Sequence, residues 1–211
     1  MTPEELGETA GGFAGDGTLY RTKSGFVMEV RGNSMETEYY ENHIRVLFGK
    51  AFGIELGVIK RYYSNKTRYV LGIRVCGKRT KEFFSDFLGF PVGEKSCIVR
   101  IPKVVLENKG SWTSYIRGVF DTDGSLYLHT CGKRSAYRSP IIDIYSQSEE
   151  HIAQLKDMAK LLGFNFWTES NGHKIRMAGW GNTERFFKVI KPHNNMKLKR
   201  FREIYAEVAE R

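Results

Sequence analysis

Cysteine is scarce in this chain. Its three, Cys76, Cys97 and Cys131, are an odd number at wide spacing, which excludes a disulfide framework and a zinc-ligand pattern and predicts small core or surface residues. Long apolar runs are missing as well. Those at residues 69–73 and 141–144 fall far short of the roughly 18 residues that a membrane span needs, so no membrane partner is expected. The opening MTPEELGETAGG has neither a basic nor an apolar segment, so no secretory signal is visible, and the expectation is a cytoplasmic protein, or an organellar one in a eukaryote. The five histidines, His43, His129, His151, His173 and His193, show no metal-ligand spacing and are read as surface or strand residues. His193-Asn194-Asn195 therefore does not indicate a histidine-based nuclease. Gly11, Gly12 and Gly15 precede a strand instead of opening a helix, which excludes the dinucleotide and phosphate-loop fingerprints.

What the chain does have is positive charge and enough apolar residues to fold. Lys and Arg number 33 against 24 Asp and Glu, for a net +9, and 41% of the 211 residues are hydrophobic. That share supports one good core or two small ones and excludes disorder as the main state. The charge implies a polyanionic partner, though charge alone does not separate DNA, RNA and anionic lipid.

The chain repeats itself. Phe13-Ala14-Gly15-Asp16-Gly17-Thr18-Leu19-Tyr20 is matched by Phe120-Asp121-Thr122-Asp123-Gly124-Ser125-Leu126-Tyr127, an offset of 107 residues. Extended stretches and an amphipathic helix follow each copy, and Phe83-Phe84 is answered by Phe186-Phe187. A unit of about 105 residues is too long for a solenoid repeat and suits a small domain. The reading is two halves, 1–108 and 109–211, related by a pseudo-twofold axis. Thr2-Pro3-Glu4-Glu5 supplies an N-cap, a first-position proline and a capping-box glutamate for a helix to about residue 15. Its partner begins near 111 or 113 and runs to about 122, where Asp-Gly ends it by turn chemistry. Alternating segments predict strands at 19–23, 26–31, 58–63, 69–75, 126–130, 141–145 and 174–177, with one charged, wet face. Helices at 36–52 and 149–162 cover the dry face, and the two Phe pairs are core.

Small residues mark the terminal helices: Ala10, Gly11, Ala14 and Gly15 in one, Gly118 and Thr122 in the other. They allow close backbone approach, which would bring Asp16 and Asp123 together. Two carboxylates at helix C-termini repel each other and the helix dipoles unless a cation lies between them. Hard oxygen ligands suit Mg²⁺, and a pair of such ions suits in-line phosphodiester hydrolysis.

These residues also carry a resemblance. Thr9-Ala10-Gly11-Gly12-Phe13-Ala14-Gly15-Asp16-Gly17 and Ile116-Arg117-Gly118-Val119-Phe120-Asp121-Thr122-Asp123-Gly124 both resemble the nine-residue motif of the LAGLIDADG homing endonucleases, here of the single-chain, intron-encoded type of archaea or organelles. The resemblance implies an α+β fold of two pseudo-symmetric αββαββα subdomains, each a four-stranded antiparallel sheet covered by helices, packed through the two motif helices. It implies a monomer whose sheets form a saddle on double-stranded DNA, cutting both strands of a long asymmetric site to leave short 3′ overhangs. Mg²⁺, or Mn²⁺ in its place, would be held by Asp16 and Asp123, with the carbonyls of Gly15 and Thr122 as further ligands. Ala14 stands where the motif usually has an acid; Asp121 holds that position in the second copy and is read as structural.

The resemblance places polar and basic groups around the scissile phosphates. Gln147 matches a glutamine beside the metal water, with Gly32 or Asn33 standing there in the first half and the role carried onto Asn33. Lys95 resembles the lysine of a Gly-Lys-Ser segment before the second motif, and its counterpart is Lys197 or Lys199. A lysine there would neutralise developing phosphorane charge and orient water. DNA contacts are expected on the wet faces, from Arg21, Lys23, Arg31, Lys60, Arg61, Tyr63, Lys66, Arg68 and Arg74 in the first half. The second half offers Tyr127, His129, Lys133, Arg134, Arg138, Lys174 and Arg176. An intron-RNA maturase and a DNA-binding regulator that no longer cuts are the alternatives; the retained Asp16 and Asp123 argue against the regulator. No stretch is left over for a protein-splicing domain, which favours a free-standing intron product over an intein.

Overall fold

The structure, a computed structural model, describes residues 1–63, 68–130 and 138–209. Lys66, Cys131, Lys133 and Arg134 lie outside the described residues. Helix α1 (Pro3–Asp16) starts as its sequence directs: the Thr2 hydroxyl accepts from the Glu5 N–H, and the Glu5 carboxylate accepts from the Thr2 N–H at 2.9 Å. A hairpin follows, β1 (Gly17–Thr22) and β2 (Gly25–Asn33). The chain then stays helical through a 3₁₀ turn at Ser34–Glu36, α2 (Thr37–Tyr39), a π-helical turn at Tyr40–Ile44 and α3 (Arg45–Phe52). Strands β3 (Ile59–Tyr62) and β4 (Tyr69–Cys76) complete a sheet in the order β1-β2-β4-β3. Next come α4 (Lys78–Lys81), which runs into a π-helical Glu82–Phe87, and the short α5 (Lys103–Leu106).

The second half repeats the plan. Helix α6 (Trp112–Asp123) leads into β5 (Gly124–Thr130), β6 (Arg138–Tyr145), α7 (Glu149–Leu161), β7 (Trp167–Thr168), β8 (Lys174–Ala178) and α8 (Trp180–Ile190). Its sheet has the matching order β5-β6-β8-β7, and α9 (Asn195–Ala209) closes the chain. Strand β7 has only two residues, too few to show the alternation by which a strand is read from sequence. Among the described residues no helix is long and apolar enough to cross a membrane.

The core has the same duplication. Phe13 of α1 stacks on Phe84 with ring centroids 4.0 Å apart, and Phe120 of α6 meets Phe186 edge-on at 5.0 Å. Both motif phenylalanines are fully buried. The glycines after the two helices serve this packing and not a left-handed turn. Gly17 and Gly124 are extended, with φ of −79° and −81°. A Cβ at Gly17 would lie 2.3 Å from the Phe13 ring, and one at Gly124 2.2 Å from the Phe120 ring. The expected Asp-Gly turn is therefore a steric vacancy beneath an aromatic ring.

Helices α1 and α6 meet backbone to backbone. A Cβ on Gly7, Gly11 or Gly118 would stand 2.3 Å from Ser111 O, 2.2 Å from Tyr115 O or 2.5 Å from Glu8 O respectively. One on Gly15 would lie 2.1 Å from Thr122 Oγ1 and 2.7 Å from Asp123 Oδ2. The spacing of Gly7, Gly11 and Gly15 puts one glycine per turn on a single face, which lets helices approach closer than larger side chains permit. Ala10 and Ala14 are buried in the hydrophobic core, in one cluster with Tyr115, Ile116 and Val119 of α6.

One histidine departs from its expected surface position, and two that keep partial exposure meet each other. His151 is buried, with Nε2 2.8 Å from the Tyr115 hydroxyl and Nδ1 3.2 Å from Ser146 Oγ. His43 and His193 come from different halves and meet at Glu8. Tertiary proximity, not sequence spacing, creates both arrangements.

Candidate active site and nucleic-acid surface

Because α1 and α6 end side by side, Asp16 and Asp123 face each other at the seam between the sheets. Asp123 Oδ2 lies against Gly15. Asp16 is partly buried, and loss of hydration, the negative charge of Asp123 and that of Glu36 push its carboxyl up to about 8, against the opposing pull of Lys95 and Lys197. Asp123 is also raised, by desolvation among the surrounding protein atoms, with both lysines pulling it down. Among the described residues neither acid forms an ion pair with a basic side chain within 4.0 Å. Two under-neutralised carboxylates at helix C-termini are a hard-oxygen donor set, which fits a divalent cation such as Mg²⁺ or Mn²⁺.

The lysines obey the pseudosymmetry. Lys95, nearly buried, donates to Ala14 O and, at 2.9 Å, to Gly15 O, and its ammonium stands 6.0 Å from the Phe13 ring centre. Lys197 donates to Gly124 O, with its ammonium 5.9 Å from the Phe120 ring centre. Equivalent ring, equivalent helix end: Lys197 is the partner of Lys95. Lys199 is exposed and lines a separate cleft with Met35, Glu38 and Arg202. One turn of α9 brings Lys197 to the helix ends, whereas Lys199, two residues on, is rotated away. Burial lowers the Lys95 ammonium's affinity for its proton, and Asp123 and Asp16 counteract this. The Gly15 carbonyl, implied as a metal ligand, already accepts from Lys95 and has one lone pair left. The Thr122 hydroxyl, as distinct from the carbonyl implied as a ligand, is turned back along α6, within 3.0 Å of both Gly118 O and Val119 O.

Asn33 and Gln147 occupy equivalent ends of β2 and β6, since Val30 pairs with Gly17 as Ile144 pairs with Gly124. Asn33, however, is a cap: its Oδ1 accepts from the Met35 N–H at 3.0 Å, and its own N–H donates to Glu36. This occupies the side-chain oxygen expected beside water. Gln147 is exposed, accepts from Cys97 Sγ at 3.7 Å and borders an open cleft of about 720 Å³ with Arg100 and His173. Among the described residues neither bonds to Asp16 or Asp123. Gly32 is needed for close packing, because a Cβ there would lie 2.4 Å from the Tyr40 ring.

Asp121 is fully buried and structural, as expected. Its Oδ2 accepts from the His193 N–H at 2.8 Å, and burial pushes its carboxyl up to about 7.

Strand register sorts the basic residues. Arg31, Arg61 and Arg74 share the wet face of the first sheet, and Tyr127, His129, Lys174 and Arg176 that of the second. Lys23 sits in the hairpin turn, and Tyr63 and Arg68 flank the loop between β3 and β4. Arg21, Lys60 and Arg138 are on the opposite, helix-side face. Arg21 lies 5.9 Å from the Phe26 ring centre, Lys60 5.3 Å from that of Tyr69, and Arg138 pairs with Glu207 of α9. All three are at sheet margins, where long basic stems run over apolar surface while their heads stay hydrated.

The residues that organise each wet face went unread in the sequence. Glu29, 1% exposed, bonds Arg31 and Arg61 and lies 3.5 Å from Arg74. Burial raises its carboxyl, but Arg31, Tyr20 and Arg61 outweigh this and hold it below the usual range. Asp143 occupies the same register in the second sheet, accepting from Ser125 and lying 3.4 Å from Lys174 and 3.6 Å from Arg176. The cross-strand rows correspond one to one, Thr18-Glu29-Arg74 in one half and Ser125-Asp143-Arg176 in the other. A lone acid in the middle of each largely apolar strand, β2 and β6, at matching places in the repeat, was the available signal.

No protein-family model matches the chain, and no curated protein does. Among solved structures, I-DmoI in complex with DNA and Mn is 14% identical over 90% of this chain and 97% of its own, with a TM-score of 0.59. The LAGLIDADG homing endonuclease I-LtrWI, bound to target DNA, is 13% identical over 100% and 92%, with a TM-score of 0.61. The I-SmaMI LAGLIDADG homing endonuclease, bound to cleaved DNA, gives 10%, 95% and 87%, and 0.60. The molecule is thus an α+β protein of two pseudo-symmetric halves, each with a four-stranded antiparallel sheet. Its fold is that of the LAGLIDADG homing endonucleases.

Proposed function

We propose that this protein is a sequence-specific DNA endonuclease that hydrolyses one phosphodiester on each strand of a long, asymmetric duplex site and leaves short 3′ overhangs. One observation carries the reading: a glycine seam holds together two carboxylates that form no ion pair among the described residues, each helix end carries its own lysine, and a basic sheet face extends on either side. The solved structures of this fold include complexes with target DNA, with Mn and with Ca, which supports duplex DNA as partner and a divalent ion as cofactor. Mg²⁺ is the ion we assign.

Asp16 and Asp123 would hold that ion, which when bound would lower the pKa of its water and offset charge on the phosphate oxygens. The remaining chemistry belongs to the chain. Arg31, Arg61, Arg74, Lys174 and Arg176 bind the duplex and set its register, while Lys95 and Lys197 place positive charge beside the two scissile phosphates. A water oxygen attacks phosphorus in line, the bond to the 3′ oxygen breaks, and that oxygen takes a proton. Lys95 and Lys197 stabilise the extra negative charge of the phosphorane as it forms. Because one chain supplies both halves, the protein acts as a monomer. We further assign it to the halves 1–108 and 109–211, to an intron-encoded origin and to the cytoplasm or an organelle. The test is incubation with a randomised duplex library and Mg²⁺, followed by sequencing of the ends. Staggered cuts at one long motif support the reading; specific capture without cuts moves it to the regulator, and preferential capture of structured RNA to the maturase.

A further inference from the structure

Away from the acid pair, three metal-ligating atoms converge where the two halves meet. Glu8 Oε1 lies 2.6 Å from His43 Nε2 and 2.7 Å from His193 Nδ1, and the two ring nitrogens are 3.1 Å apart. Glu8 and His43 come from the first half and His193 from the second. The site is held from several directions. Arg117 donates to the other carboxylate oxygen, Oε2, at 3.0 Å and to Ile190 O at 2.7 Å. Lys191, the one described non-glycine residue with positive φ, at 54°, turns the chain after α8 back toward α1. The returning segment is pinned by His193 N–H on Asp121 Oδ2 and by Asn194 on Asp121 O at 2.9 Å. Tyr39 stacks on His43 at 5.6 Å, and its buried hydroxyl, like Asp121 Oδ1, has no hydrogen-bond partner among the described residues.

We propose that Glu8, His43 and His193 form a second metal site, for a Zn²⁺-class cation, that clamps the two halves together. Two imidazoles and one carboxylate suit Zn²⁺, Co²⁺ or Ni²⁺, whereas Mg²⁺ prefers oxygen donors throughout, so the two sites select different ions. Tetrahedral coordination with bonds of about 2.0–2.1 Å separates ligand atoms by roughly 3.3 Å. From 2.6, 2.7 and 3.1 Å the three pairs need to spread by about 0.7, 0.6 and 0.2 Å, within reach of small side-chain rotations. The His43 and His193 side chains are 27% and 39% exposed, so the ion has access from solvent and water completes the fourth position, while Glu8 at 5% anchors the inner side. Arg117 on Oε2 orients the carboxylate so that Oε1 faces the imidazoles, the arrangement that an outer hydrogen bond gives a metal ligand. Without metal the two ring nitrogens donate to the one carboxylate oxygen; with the cation the same nitrogens present lone pairs, each proton having moved to the other ring nitrogen or been released to solvent.

The probe is Co²⁺ alone, titrated into the full chain under excess Mg²⁺ and followed by its visible ligand-field spectrum and by calorimetry. The result expected is one Co²⁺ per chain in a tetrahedral-type spectrum that Mg²⁺ does not displace. Binding should weaken more than about tenfold in His43→Gln and in His193→Gln, since even losing an outer-shell partner costs 10–100-fold. It should persist in Asp16→Asn, which separates this site from the acid pair whether or not the nuclease reading stands. Hyperfine-shifted imidazole signals from two histidines in the Co²⁺-loaded, unaltered chain test the ligands without any substitution. Binding that Mg²⁺ abolishes, that both histidine variants retain, or that shows no imidazole signal overturns the proposal.

Discussion

Replacing Gly11 by Ala tests whether the helix seam holds the acids in place. Alanine is the better helix former by about 1 kcal/mol, so an open site would be stabilised. At Gly11 the new Cβ would lie 2.2 Å from Tyr115 O and 3.1 Å from both Tyr115 C and Val119 N, all of them backbone atoms that cannot rotate aside. Relief requires the helices to separate by about 1 Å, and Gly7 and Gly15 are in equally tight contact on the same face. Overpacking of this kind costs about 1–3 kcal/mol and sometimes more. With the propensity gain subtracted from the upper end, the expected net loss is about 2 kcal/mol, or roughly 4–8 °C in Tm for a chain of this length. The neighbouring Gly12 is the internal control. Its added Cβ would meet only the Phe48 ring, at 3.8 Å, so Gly12→Ala should gain about 0.5–1 kcal/mol from propensity alone. Urea unfolding of the two variants reads the difference, about 3 kcal/mol between adjacent residues. Gly11→Ala should also lose cleavage, because Asp16 moves with the helix. Two variants that shift stability in the same direction by similar amounts would refute the seam.

Other perturbations separate the parts of the site. Lys95→Met should slow cutting of one strand and Lys197→Met of the other, each by roughly a hundredfold or more; Lys199→Met should leave both unchanged, and equal effects on both strands would remove the lysines from their assigned positions. Glu29→Gln frees Arg31, Arg61 and Arg74 from their shared anchor. Binding to random duplex should tighten and its dependence on log salt steepen by about one, while discrimination for the true site falls roughly tenfold; unaltered discrimination would show that Glu29 positions nothing. His151 is held down at about 3 by burial and by nearby Lys95. Because the unfolded chain takes up this proton near pH 6.5 and the folded one does not, stability should fall as pH drops from about 6.5 to 3, by up to about 4–5 kcal/mol. His151→Gln should flatten that part of the pH-stability curve, and an unchanged curve would place the titration elsewhere.

Much of this architecture was legible because it is written twice. The matching motifs gave the halves, the helix ends and the acid pair, and the Thr2 cap and the Phe pairs are local signals with local outcomes. Contacts between distant elements were not legible. Nothing in the spacing of Glu8, His43 and His193 indicates that they meet, because a left-handed Lys191 and a pinned segment bring the last of them back. Arg21, Lys60 and Arg138 carry the charge of wet-face residues, yet each stands out of phase with the wet-face Tyr20, Arg61 and Asp143 of its own strand, which puts it on the other face. Glycine reads as flexibility in a sequence, whereas Gly17 and Gly124 are there for the space a side chain would fill. Lys197 and Lys199 differ only in helical phase, which the structure resolves through the Phe120 ring.

The most direct test of the central claim is to compare, on the site recovered from the library, the unaltered chain with Asp16→Asn and Asp123→Asn, measuring Mg²⁺-dependent cleavage and binding side by side. The account predicts that each substitution abolishes double-strand cleavage and leaves binding within about threefold, since the carboxylates hold the ion and the sheets hold the DNA. Cleavage that survives both substitutions, or binding lost in step with cleavage while the fold remains intact, would contradict it.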